Sequence, residues 1–162
     1  MGSIRRTFPA AMDHPTVNIR PRVATDDAAL AALWERSVRA THDFLSEDDI
    51  QFFLPLVRDA YLPALTVWVG DNPDGTPAGF IATGNSNVEM LFIEPAYRGQ
   101  GIGRQLLDHV KVLHETLSVD VNEQNPQAHG FYLHYGFEQT GRSPTDGEGR
   151  PFPIIHLRLR AA

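Results

Sequence analysis

Three glycines at alternate positions, Gly99, Gly101 and Gly103, separate an apolar run from a helical pattern. The run is Val88-Glu89-Met90-Leu91-Phe92-Ile93, and the whole segment continues as "EPAYRGQGIGRQLLDHV". Glycine adopts positive φ without steric cost and lets another group approach the backbone closely. A helix N-terminus presents unpaired N–H groups and the positive end of the helix dipole. A strand, a glycine turn and a helix start in succession therefore read as a phosphate cradle, with Arg98 and Arg104 able to add charge-assisted hydrogen bonds. The bland alternative is a glycine-rich turn that holds nothing.

The segments around this feature alternate in type. "TVNIRPR" reads as a first strand. Thr25 or Asp26 can cap a helix that carries Leu30, Leu33, Trp34 and Val38 on one face. A second helix starts near Ser46, with Asp49 three residues on as a capping box and Ile50, Phe53, Leu54 and Val57 as its apolar face. Pro55 makes it irregular or splits it. "LTVWVGD" and "PAGFIATGN" are strands joined by the turn signal "NPDG", and "NSN" turns the chain into "VEMLFI". A helix to roughly His114, the strand "LSVDV", a helix from Asn125 to Gly136 and the strands "FEQTGR" and "PIIHLRLR" complete the order. The terminal "RLRAA" reads as an edge strand with solvated arginines. The order β-α-α-β-β-β-α-β-α-β-β predicts an α/β (α+β) fold with a mixed, mostly antiparallel sheet and at least one parallel crossover.

At 162 residues the chain suits one core, with residues 1–15 as an N-terminal extension and 16–162 as the domain. No apolar run is long enough for a membrane span, and the N-terminus lacks the apolar centre of a secretory signal. The absence of cysteine excludes disulfides, thiolate metal sites and cysteine nucleophiles, and fits a cytoplasmic protein. A net charge of -6 offers none of the basic surplus expected of a nucleic-acid binder. The pairs His109/His114 and His129/His134 lack the i, i+4 spacing that puts two imidazoles on one helical face, so no metal site is expected.

The type of phosphate ligand can be narrowed. A mononucleotide-binding loop ends in Gly-Lys-Ser/Thr, which this segment lacks. A dinucleotide fingerprint needs a small residue where Leu106 stands, early in an alternating βαβ chain. "RGQGIG" instead resembles the Arg/Gln-x-x-Gly-x-Gly/Ala signature of the GNAT superfamily of acyl-coenzyme A-dependent N-acyltransferases. "NEQNPQAHGFYLHYGF" resembles that family's second motif, Asn-x-x-Ala-x-x-Phe-Tyr-x-x-x-Gly-Phe, and the order of elements agrees from Val17 to Arg160. "THDFL" and "VNEQNPQAHGFY" resemble a bacterial subfamily of small acetyltransferases. The resemblance implies the GNAT fold, a twisted sheet of six to seven strands with helices on both faces. It also implies acetyl-coenzyme A as co-substrate without a metal. The acceptor is an amine, on a small molecule or on a protein or peptide. A homodimer is one outcome it allows.

The resemblance also distributes roles. Pyrophosphate falls to the backbone of Arg98, Gly99, Gln100, Gly101, Ile102, Gly103 and Arg104. The pantetheine arm falls to Leu91, Phe92 and Ile93, pairing like an added strand, with an N–H near Leu91 or Phe92 as oxyanion donor. Asn125 is a helix cap and the family's contact to the coenzyme arm. Tyr132 takes the place of the tyrosine that protonates the leaving thiolate; an unperturbed phenol, with a pKa of ~10, is protonated at neutral pH. Its alternative role is packing the helix onto the sheet. Glu89 is the first candidate for general base, because strict alternation would put it with Leu91 and Ile93, opposite Met90 and Phe92. Glu123 and His42 are alternatives. His42 and Asp43 lie between the two early helices, which wall the family's acceptor pocket, so His42, Asp43 and Glu123 are the candidate substrate-binding residues. With no cysteine to carry the acetyl group, direct transfer in a ternary complex is expected. The rivals are an acyl-coenzyme A sensor without turnover and a nucleotide-binding domain that uses the same loop.

Overall fold

The computed structural model describes residues 16–160, and the extension expected over residues 1–15 lies outside them. The strands are β1 (Asn18–Pro21), β2 (Thr66–Asp71), β3 (Pro77–Gly84), β4 (Asn87–Ile93), β5 (Thr116–Asn122), β6 (Glu138–Ser143) and β7 (Ile154–Arg160). The longer helices are α1 (Asp27–Thr41), α2 (Glu47–Leu56), α3 (Ile102–Lys111) and α4 (Pro126–Tyr135). The strands form one seven-stranded sheet in the order β1-β2-β3-β4-β5-β7-β6. Every neighbouring pair is antiparallel except β4 and β5.

Helices cover both faces of the sheet, α3 most plainly through one apolar stripe. Leu30, Leu33, Trp34 and Val38 of α1, with Ile50 of α2, pack against Val67, Val69, Phe80, Ala82 and Met90. On the opposite face, Ile102, Leu106, Leu107 and Val110 of α3 and Tyr132 of α4 meet Ile81, Val88, Val119, Val121 and Leu157. Leu30, Leu106 and Leu107 are fully buried. Each such side chain contributes about 1.5–3 kcal/mol relative to exposure.

Several local expectations are modified. Asp26 does not cap α1 with its side chain. Its carboxylate is taken by the Arg20 guanidinium at 2.9 Å and the Val23 N–H at 2.8 Å, and a 3-10 turn (Ala24–Asp26) leads into the helix instead. The Ser46/Asp49 capping box forms in both directions. Past Pro55 the helix widens into a π-turn over Val57–Tyr61, as expected where a proline removes an N–H from the i→i−4 ladder. Helix α3 ends at Lys111, short of His114. The terminal strand β7 is not an edge strand: it inserts between β5 and β6, which leaves β6 on the edge.

The change that matters most for function lies in β4. Its register with β3 runs regularly from Gly79↔Ile93 to Ala82↔Met90, then resumes at Thr83↔Val88. Glu89 is therefore the extra residue of a β-bulge, and the bulge reverses the facing of the strand. Val88 packs on the α3 side, whereas Met90 packs on the α1 side. The alternation that groups Glu89 with Leu91 and Ile93 fails for this reason. Leu91 and Ile93 do pack toward α3, but Glu89 turns to the α1 side.

Candidate active site

Strand β4 pairs with β5 only at Asn87↔Ser118 and Val88↔Val119. Beyond the bulge the two strands separate, and among the described residues Leu91, Phe92 and Ile93 have no strand partner on the β5 side. A cleft of about 440 Å³ opens there. Its floor is Leu91–Ile93, and its far wall is Asn125, Gln127, Ala128, Phe131 and Tyr132 of α4 and its cap. Its mouth is Arg98, Gly99, Gly101, Ile102, Gly103 and Arg104. Gln100, expected in this group, does not line it.

The mouth combines left-handed glycines with a helix N-terminus. Gly99 (φ +79) and Gly101 (φ +82) hold the left-handed conformation that glycine tolerates. Gly101 is the N-cap of α3, and the first intrahelical bond runs from the Gln105 N–H to the Gly101 carbonyl at 3.1 Å. The N–H groups of Ile102, Gly103 and Arg104 precede it and have no carbonyl four residues back within the helix. Gly103 has another purpose. It lies inside α3, and a Cβ there would come within 3.3 Å of Phe131 Cζ. The third glycine thus lets α3 and α4 close up on one another. Arg98 donates to Gln127 Oε1 at 2.6 Å across the cleft, and Arg104 lies 5.1 Å from the Tyr135 ring centroid.

Tyr132 is deep in this cleft, 6% exposed, between the rings of Phe131 and Phe137 at 5.2 and 5.3 Å. Its hydroxyl makes no hydrogen bond among the described residues. Burial pushes its pKa well above the ordinary phenol value, so it stays protonated. The buried Asn125 accepts the Ala128 N–H on Oδ1 at 3.2 Å, capping α4. Its Nδ2 lies 3.4 Å from His42 Nε2.

A second cleft of about 400 Å³ lies on the other side of β4. Trp34, Val38, Phe53, Val57, Leu65, Met90 and Phe152 make its walls apolar, while Glu89, Tyr61, Asp146 and Glu148 make its rim polar and acidic. The loop over residues 144–153 forms one side and is tied down twice. Arg150 Nη2 donates to Asp49 Oδ1 at 2.5 Å with its guanidinium 4.3 Å from the Phe52 ring centroid, and the Tyr61 hydroxyl donates to Glu148 at 2.7 Å.

The two clefts share His42 and Phe92, whose rings lie 6.2 Å apart. A chain of hydrogen bonds sets the imidazole's tautomer. The Thr41 hydroxyl donates to the Ser37 carbonyl at 2.8 Å, so at the 2.7 Å Thr41 Oγ1–His42 Nδ1 contact the ring must donate. That leaves the lone pair on Nε2, facing the Asn125 amide. Burial lowers the His42 pKa from 6.5 to about 4, against a smaller opposing pull from Asp43.

Tyr132, Asn125, His42, Glu89 and the glycine loop are thus gathered around the bulged strand. Two expected residues are not. Asp43 is exposed in the turn after α1 and lines neither cleft. Glu123 is exposed, holds Arg142 at 2.6 Å, and also lines neither, because Arg142 on the edge strand β6 draws it outward. Sequence reasoning misses Thr41 and Gln127. The i, i+4 spacing of Ser37 and Thr41 on α1 is the available signal for the first; Gln127 has none beyond its place in the first turn of α4. Among the described residues no group of His, Asp and Glu could hold a metal ion, and no helix is long and apolar enough to cross a membrane.

The family model for the acetyltransferase (GNAT) domain matches residues 60–153. The chain belongs to the GNAT acetyltransferases. It is 43% identical over 141 residues to the peptidyl-lysine N-acetyltransferase YjaB of Salmonella typhimurium, covering 87% of this chain and 97% of that protein. The solution structure of apo-form YjaB from Escherichia coli superposes with a TM-score of 0.82 at 41% identity, covering 90% of this chain and 99% of the other. The PaiA N-acetyltransferase of Thermoplasma acidophilum, solved in complex with coenzyme A, shares the fold with a TM-score of 0.73 at 19% identity, over 90% and 99% of the two chains. This GNAT chain is accordingly an N-acetyltransferase.

Proposed function

We propose that this acetyltransferase moves the acetyl group of acetyl-coenzyme A to the side-chain amine of a lysine in a peptide or protein, by direct attack in a ternary complex. One observation carries the reading. Two clefts on opposite sides of β4 meet at His42 and Phe92, so a thioester in one and an amine in the other converge on the same strand. The first cleft offers helix N–H groups to a pyrophosphate and unpaired strand backbone to a pantetheine arm. The apolar walls and acidic rim of the second suit an alkyl stem that ends in an ammonium. The name of YjaB as a peptidyl-lysine N-acetyltransferase supports the acceptor class.

In this scheme Glu89 takes a proton from the ammonium, directly or through water, and the amine nitrogen forms a bond to the thioester carbonyl carbon. A backbone N–H of Leu91 or Phe92 stabilises the oxyanion. The C–S bond then breaks, Tyr132 donates its proton to the departing thiolate, and the second proton lost by the attacking nitrogen returns through water to the Tyr132 oxygen, leaving a neutral amide. Asn125 holds the arm beside the Tyr132 ring. Asp43 and Glu123, being outside both clefts, take no part in the chemistry. A site with an acceptor cleft, a carboxylate on its rim and a protonated phenol opposite also argues against a role in sensing alone.

The test is initial-velocity kinetics with acetyl-coenzyme A and a synthetic lysine peptide, read by thiol release and by the mass of the peptide product. Intersecting double-reciprocal lines and acetylation on Nζ are expected. Parallel lines would overturn direct transfer, and turnover only with small polyamines would overturn the acceptor class.

A further inference from the structure

A bulged residue lacks the regular cross-strand partners that fix an ordinary strand side chain. Glu89, on the rim of the second cleft, is held by other means. Asn87 Nδ2 donates to Glu89 Oε2 at 2.6 Å. The same amide's Oδ1 accepts the Ser118 hydroxyl, also at 2.6 Å. A carboxylate can only accept, so the NH₂ end of Asn87 must face Glu89 and its oxygen must face Ser118. A hydroxyl has one proton, and Ser118 spends it on Asn87. The orientation of the amide is therefore fixed at both ends.

The backbone prepares this arrangement. Asn87 and Ser118 form one of the two β4–β5 pairs before the strands separate, and the Ser118 N–H donates to the Ser86 carbonyl at 2.9 Å. Gly84, paired with Asn87 across the hairpin, leaves space for the carboxylate stem. A Cβ on Gly84 would lie 3.4 Å from Glu89 Cγ and 3.1 Å from Leu65 Cδ2.

We propose that Asn87, oriented by Ser118, is a positioning residue that holds the Glu89 carboxylate at the acceptor cleft. The inference rests on Glu89 acting as general base. It makes the first β4–β5 pair part of the proton-transfer apparatus: the amide restricts Glu89 to one geometry and keeps its second oxygen for the amine or its water. The step itself is unchanged, with one proton passing from the ammonium to Glu89 and on to solvent.

The test is a double-mutant cycle on kcat, with acetyl-coenzyme A and the lysine peptide as substrates. Glu89→Gln alone tests the base, and full turnover in that variant would remove the base reading. If Glu89→Gln is impaired, Asn87→Ala in the native background should lower kcat about tenfold with KM for acetyl-coenzyme A unchanged, and in the Glu89→Gln background by less than about twofold. Asn87→Asp discriminates further. It is the closest in shape, yet it sets a like charge against Glu89, so it should be slower than Asn87→Ala. Ser118→Ala should lose about two- to threefold, which serves as an independent check should an Asn87 variant fail to fold. Equal losses from Asn87→Ala in both backgrounds, or an Asn87→Asp enzyme faster than Asn87→Ala, would mean that Asn87 only supports the strand and would overturn the proposal.

Discussion

His42 gives the protein a pH dependence of stability whose size follows from its surroundings. Its folded pKa is lowered from 6.5 to about 4 because the part-buried ring between the two clefts loses solvation that the charged form needs. The unfolded chain therefore binds a proton between these values that the folded chain refuses. The stabilisation is fully present above the unfolded pKa, declines as pH falls from 6.5, and is lost below about 4. One pH unit between the two pKa values corresponds to about 1.4 kcal/mol, so the full extent is about 3 kcal/mol. Between pH 7 and pH 5 the same linkage removes about 2 kcal/mol, since the unfolded imidazole is mostly neutral at the first pH and mostly charged at the second. Urea unfolding of the native protein and of His42→Gln at both pH values isolates this contribution, because every other titrating group is common to both. The native protein should lose about 2 kcal/mol more than the variant over that interval. Equal losses, or an imidazole resonance that titrates near 6.5 in the folded protein, would refute the part-buried neutral ring and the hydrogen-bond chain that fixes its tautomer. A ring that stays neutral above pH 5 also takes no part in the pH–rate profile of the enzyme near neutrality.

Tyr132→Phe keeps the ring that packs against Phe131 and Phe137 but removes the hydroxyl that serves as acid in the proposed mechanism, so kcat should fall by about 100-fold or more with KM for acetyl-coenzyme A little changed. Unchanged turnover would return Tyr132 to a packing role. Gly101→Ala places a Cβ at φ +82 with no atom within 4 Å, so its cost is backbone strain alone, about 1–2 kcal/mol in thermal or urea unfolding, with weaker protection by coenzyme A; a Tm equal to that of the native protein would contradict this. Lys111 is the one lysine in the sequence, among 14 basic Lys and Arg residues, and its Nζ lies 3.9 Å from Asp108 and 5.4 Å from the Tyr135 ring centroid. Intact-mass spectra after long incubation with acetyl-coenzyme A should therefore show no more than two added acetyl groups, one at Lys111 and one at the α-amine.

The parts of the site that were legible in the sequence are those set by local chemistry. Leu30, Leu33, Trp34 and Val38 announce a helix face through their spacing, and the loop from Arg98 to Arg104 announces its conformation through glycine. What stayed hidden depends on pairing between distant segments. β7 and β6 read alike as strands, and only the pairing of β7 with both β5 and β6 decides which one is the edge. The bulge is the sharper case. The two-residue turn Asn85–Ser86, with Asn85 at φ +57, fixes the pair Gly84↔Asn87 and with it the facing of Val88 toward α3. Farther along, Met90 and Phe92 must face α1, because Trp34 and Phe80 await them there. The two demands differ by one residue in parity, and strict alternation cannot meet both. An inserted residue resolves the conflict, and Glu89 is that residue. It ends the regular run of β4 where pairing to β5 stops, which opens the first cleft, and its own side chain turns onto the rim of the second. One residue of register mismatch thus accounts for both the opening on the β5 side of β4 and the carboxylate on the rim of the second cleft. Neither could be read from the apolar pattern of β4 alone.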